Sequence, residues 1–106
     1  MLSRRLVPIA ALLSLAAMAV PAQAAAIQIV MENLVISPAE ASVKAGDTIE
    51  WINKDVFVHT ATARSGDWDV TMPPKKTVTL VLKKAGTIDY YCRFHPNMKA
   101  TLTVTP

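Results

Sequence analysis

A chain of 106 residues holds one domain at most. Its formal charge of +3 comes from 11 basic and 8 acidic residues; setting Arg4 and Arg5 aside as part of a leader leaves nearly balanced charge, which excludes nucleic acid and strong membrane-surface binding as the basis of function. A single cysteine excludes an internal disulfide.

The chain opens on a short basic segment, Met1 to Arg5. An apolar run from Leu6 to Val20 follows, broken by Pro8 and Ser14, and then Pro21-Ala22-Gln23-Ala24 with small residues where a signal peptidase reads. This order predicts a secretory signal peptide over residues 1–24, cleaved after Ala24, and a domain over residues 25–106. The run is about 15 residues, shorter than the roughly 20 a spanning helix needs, so no membrane insertion is expected after cleavage. Arg4-Arg5 leaves both the general secretory and the twin-arginine route open.

From Ala25 onwards the pattern is of short strands and turns. Ile27, Ile29 and Met31 share one face of a first strand, with a break at Asn33. Leu34-Val35-Ile36 ends at Ser37-Pro38. Ala41 to Val43 leads into Lys44-Ala45-Gly46-Asp47, a turn in which Gly46 is free to take positive φ. Ile49, Trp51 and Asn53 alternate along the next strand, and Lys54-Asp55 turns the chain into the run from Val56 to Thr62. Residues 63–76 contain Gly66 and Pro73-Pro74 and read as a long loop, with a short strand near Trp68. Val78, Leu80 and Leu82 point inward from another strand, followed by a turn at Lys83 to Gly86. Ile88, Tyr90 and Cys92 share a face, and Ala100, Leu102 and Val104 close the chain. No window holds a 3.6-residue period, so the fold class is all-β, a β-sandwich or small barrel.

The chemistry gathers in Cys92-Arg93-Phe94-His95-Pro96-Asn97-Met98. Thiolate, imidazole and thioether are donors that a soft transition metal accepts, and together they favour copper. Zinc has little use for a thioether. In an oxidising compartment a lone exposed thiol would be oxidised, so metal ligation is the economical use of Cys92, although a lone buried cysteine can also be inert core. The parity of Ile88 and Tyr90 aims Cys92 inward from a strand end, with His95 and Met98 on the connection to the last strand. The chain has two histidines, so His59 is the remaining donor. His59, Cys92 and His95 would form a trigonal plane, with Met98 as a weak axial ligand.

These residues resemble the cupredoxins. The resemblance extends to Val43-Lys44-Ala45-Gly46-Asp47-Thr48-Ile49-Glu50-Trp51-Ile52-Asn53-Lys54-Asp55 before His59 and to Gly86-Thr87-Ile88-Asp89-Tyr90-Tyr91-Cys92. It covers nearly all of the chain after the leader, and the Cys-x-x-His-x-x-Met loop is most similar to that of the amicyanins. It implies a Greek-key β-sandwich, one type 1 copper ion, and periplasmic transfer of single electrons between redox partner proteins, such as a dehydrogenase and a c-type cytochrome, by a monomer. It also implies that His95 reaches the surface as the electron port, with Met72, Pro73, Pro96 and Met98 expected around it as a docking surface. Two positions depart from the family pattern. Thr60 follows the first histidine where Asn is common, and Arg93 follows the cysteine where a smaller hydroxyl residue is usual.

Other functions fit less well. A copper-binding module for delivery, storage or resistance would call for exposed, exchangeable ligands and has no Met-rich or His-rich tract here. A copper enzyme would need histidines for a second copper, and none remain. Trp51, Trp68, Met31 and Met72 are expected to be core, with a docking surface as the alternative for Met72, and the lysine pairs at 75–76 and 83–84 to solvate strand ends.

Overall fold

The period-two patterning becomes nine strands among residues 24–106, the part of the chain that the computed structural model describes. The expected leader, apart from Ala24, lies outside the described residues. The strands are β1 (Ala26–Glu32), β2 (Val35–Ser37), β3 (Glu40–Lys44), β4 (Thr48–Asn53), β5 (His59–Ala63), β6 (Asp69–Met72), β7 (Thr77–Val81), β8 (Gly86–Cys92) and β9 (His95–Thr105). They form two sheets, in the orders β2-β1-β4-β7 and β3-β9-β8-β5-β6. The chain passes repeatedly from one sheet to the other, as the Greek-key sandwich requires.

Register brings the apolar faces together. In the first sheet β1 and β4 run parallel with Ile27 opposite Ile49 and Ile29 opposite Trp51; β7 lies antiparallel with Val78 opposite Trp51. In the second, β8 and β9 place Ile88 opposite Leu102 and Tyr90 opposite Ala100. The inward faces meet in one core, at whose centre Trp51 and Tyr90 are fully buried. Each Ile or Met buried there contributes about 1.5–3 kcal/mol relative to exposure. Trp68, half-buried, closes an aromatic cluster, with ring centroids 5.3 Å from Trp51 and 5.5 Å from Tyr90. Trp51 and Met31 are core, as their patterning predicts, and Trp68 packs against it.

Two turns are held by carboxylates. Asn33 and Leu34, at φ 55° and 62°, form the two-residue turn from β1 to β2, the left-handed pair that such tight hairpins demand. A leucine there is strained, and Asp55 offsets this by accepting both N–H groups, Asn33 at 2.7 Å and Leu34 at 3.1 Å. At the other end of the sandwich Asp47 accepts the N–H groups of Lys44 (2.8 Å) and Ala25 (3.0 Å), and Gly46 beside it has φ 98°.

Those two backbone donors hold the Asp47 carboxyl below its usual range, the Lys44 N–H being the stronger influence. A depressed folded pKa stabilises above the ordinary Asp value and is lost as pH falls through the folded value. The urea midpoint of the wild type should therefore exceed that of Asp47→Asn at about pH 5, and the gap should narrow toward about pH 3. A gap that stays constant over that range would contradict the assignment.

Candidate metal centre

Asn53, the last residue of β4, organises the approach to the site. Its Nδ2 donates to the carbonyls of Phe57 (2.7 Å), Met72 (3.2 Å) and Pro73 (3.2 Å), and its Oδ1 accepts the Asp55 N–H (2.9 Å). One buried amide thus ties the β4–β5 connection to the end of β6. Its inward parity was legible in the sequence; its partners were not.

His59 opens β5, wholly buried. Its Nε2 lies 2.7 Å from Asp55 Oδ2, so Nε2–H donates to the carboxylate and the lone pair on Nδ1 is left free to bind a metal. Burial opposes charge on Asp55, but the hydrogen bonds from His59, Asn33 and Leu34 outweigh it and hold the carboxyl below its usual range. The acidic side chain thus links the β1–β2 turn to the imidazole. No periodicity in the sequence marks Asp55; only the fold brings it to His59.

The segment from Cys92 to Met98 differs from the connection that its sequence suggests. Arg93 and Phe94 alone form the turn, Cys92 pairs directly with His95, and both His95 and Met98 belong to β9. Tyr91 pairs with Lys99, so Pro96, Asn97 and Met98 are surplus residues opposite the single step from Tyr91 to Cys92. A bulge of this kind re-aims side chains, and Met98 is buried at 2% exposure.

Cys92 Sγ, wholly buried, lies 3.7 Å from His59 Nδ1 and 3.6 Å from His95 Nδ1. Among the described residues His59, Cys92 and His95 are the one group of three such donors placed to hold an ion, with all three donor atoms within 4.8 Å of one another. A metal bonded at about 2.0–2.3 Å to nitrogen and sulfur, with an angle of roughly 110–120° between them, separates those donors by roughly 3.6–3.8 Å, so the donor set fits an ion at its centre. The Thr60 N–H donates to Cys92 Sγ at 3.4 Å, and the Arg93 N–H donates to Thr60 Oγ1 at 2.8 Å. The two departures from the family pattern therefore bond to each other.

The surface around the site corrects one expectation. Met72 is wholly buried and Met98 nearly so, because both lie on the inward face of their strands; neither belongs to a docking surface. Pro73 and Pro96 are exposed. On the segments next to the ligands, the β4–β5 connection and the turn after Cys92, the large exposed apolar side chains are Val56, Phe57 and Phe94, at 68%, 52% and 51% exposure. The Phe57 ring meets the partly exposed His95 ring edge-on at 5.9 Å.

A family model described as a cupredoxin-like domain matches residues 5–104. The amicyanin of Paracoccus versutus is 30% identical over 95 residues, covering 84% of this chain and 70% of that protein. The amicyanin of Paracoccus denitrificans is 35% identical over 71 residues, 61% of this chain and 54% of that protein. The plastocyanin of Scenedesmus fuscus is 31% identical over 86 residues, 67% and 87%. The crystal structure of Paracoccus versutus amicyanin superposes with a TM-score of 0.65 at 28% identity, covering 80% of this chain and 84% of that one.

Proposed function

The chain belongs to the cupredoxin-like family, and from that premise we propose that it carries single electrons between redox proteins in the periplasm, with His59, Cys92, His95 and Met98 as the ligands of its copper. The protein is a cupredoxin-type copper protein and not an enzyme. Copper bound in this set supplies reversible one-electron exchange between Cu(II) and Cu(I).

The observation that carries the reading is the convergence of a buried thiol and two imidazoles from β5, β8 and β9. Donors mounted on hydrogen-bonded strands move little, so the same cage serves both oxidation states and keeps the barrier to exchange low. His59 is sealed inside, whereas His95 is partly exposed and flanked by Phe57. His95 is then the port, and Val56, Phe57 and Phe94 form an apolar face that excludes water when a partner docks. A dehydrogenase as donor and a c-type cytochrome as acceptor suit a monomeric exported carrier. Delivery or storage of copper is less well supported, because Cys92 and His59 have no exposure and Met98 has 2%.

Mixing the reduced, copper-loaded protein with an oxidised c-type cytochrome tests the reading. Rapid exchange is expected, slowed about tenfold or more by Phe57→Glu, equivalent to about 1.4 kcal/mol of docking energy. An equal rate in the variant would remove the docking face. No exchange with the cytochrome, together with ready transfer of Cu(I) to a chelator, would favour delivery.

A further inference from the structure

Asp69 lies on β6, remote in sequence from Cys92, yet it ends a hydrogen-bond chain that reaches the N–H of Arg93, the residue after the cysteine, by way of Thr60, whose own N–H donates to Cys92 Sγ. We propose that Asp69 is a positioning residue of the metal centre, which through Thr62 and Thr60 orients the hydrogen bonds at Cys92 and so sets the copper potential. The proposal rests on the reading of Cys92 as a copper ligand.

The chain is continuous. Thr62 Oγ1 donates to Asp69 Oδ1 at 2.7 Å, Thr60 Oγ1 lies 2.9 Å from Thr62 Oγ1, and the Arg93 N–H donates to Thr60 Oγ1 at 2.8 Å. Arg93 Nε then returns to Asp69 Oδ1 at 3.3 Å and closes the ring. Cross-strand register supplies the first link, since Thr62 pairs with Asp69 in the β5–β6 ladder.

Donor and acceptor roles follow from the carboxylate. A carboxylate only accepts, so the Thr62 proton points at Asp69. The Thr62 lone pairs then face Thr60, which donates its own proton to them. The lone pairs of Thr60 are left facing the Arg93 N–H. The Thr62 hydroxyl above all keeps the Asp69 carboxyl below its usual range, against partial burial and with help from Arg93, so the acceptor persists at neutral pH. Thr60 is wholly buried, and among the described residues its hydroxyl proton has no acceptor other than Thr62.

The consequence falls on the sulfur. The residue after Cys92 is gripped twice, by Thr60 at its N–H and by Asp69 at its guanidinium, and the Thr60 N–H itself points at Cys92 Sγ. Hydrogen bonding around a cysteine sulfur tunes the potential of a blue-copper site. A loosened Thr60 leaves the thiolate more electron-rich, which favours Cu(II) and lowers the potential. Thr60 and Arg93, the two departures from the family pattern, thus become one device that needs Asp69 to complete it.

The test uses copper-loaded Asp69→Ala, Thr62→Val, the double variant and Thr62→Ser. The first two should each shift electron-exchange equilibrium with a fixed redox partner about threefold or more toward the oxidised copper protein, with a displaced thiolate-to-copper absorption. The double variant should shift no further than either single one, and Thr62→Ser should restore the wild-type value. Unchanged equilibrium and absorption with only a lowered urea midpoint, or fully additive shifts, would overturn the proposal. Absence of the thiolate-to-copper absorption from the wild type would instead defeat the ligand reading on which it rests.

Discussion

Replacing Cys92 by serine is expected to abolish the intense visible absorption of the copper-loaded protein and to weaken copper binding by at least about 100-fold, since loss of supporting partners alone costs about 10–100-fold. The sulfur is the one soft anionic donor in the set, and a serine oxygen neither matches its softness nor ionises at neutral pH. The Thr60 N–H now donates to sulfur and can donate to the hydroxyl oxygen instead, so the fold should survive. Thermal unfolding separates these effects. Copper at about a thousandfold above the wild-type dissociation constant should stabilise the wild type by about 4 kcal/mol and the serine variant by about 1.4 kcal/mol or less. Visible absorption retained in the variant, or a wild type indifferent to copper, would rule out Cys92 as the ligand.

The second large effect belongs to the core. Trp51→Ala should cost about 3–5 kcal/mol, a large share of the 5–15 kcal/mol typical of a whole domain. Trp51 has no exposed surface and packs against Trp68 at 5.3 Å and Tyr90 at 5.8 Å between centroids. Its Nε1 donates to Tyr90 Oη at 3.3 Å; burial, opposed by that hydrogen bond, pushes the phenol up to about 12, so it stays neutral. Alanine removes the packing and orphans the hydroxyl, while Trp51→Phe keeps most of the volume and should cost roughly half as much or less. Urea unfolding followed by circular dichroism measures both. A cost below about 1 kcal/mol for Trp51→Ala would show that neighbouring side chains refill the space.

Much of this architecture is legible without coordinates. Alternation placed Ile49, Trp51 and Asn53 on one face, and Ile88, Tyr90 and Cys92 on another; all six are buried. The stretch from Val56 to Thr62 was harder. Its apolar residues look like strand, yet Val56 and Phe57 are exposed and β5 begins only at His59, because the hydrogen bonds from Asn53 to Phe57 and the end of β6 hold them in a connection. Met72 had two readings in the sequence, core and docking surface, and the fold decides for the core. The stretch from Ala63 to Lys76 reads as a loop with a short strand near Trp68; that strand is β6, which pairs with β5 so that His59 lies opposite Met72, and this register turns the methionine inward.

The sequence by itself determined the all-β class, the inward aim of Cys92 and the set of donors from which a copper site could be assembled. Side-chain parity is a local property of an extended backbone, and the scarcity of histidine and cysteine restricted the choice of ligands. The tertiary structure alone decided that Cys92 and His95 close a two-residue turn, that Asp55 holds His59, that Asp69 reaches the Arg93 N–H through two hydroxyls, and that Phe57 meets the partly exposed His95 imidazole while Met72 and Met98 are buried. Each depends on which distant strands lie side by side and in what register, and no periodicity within a single segment records that.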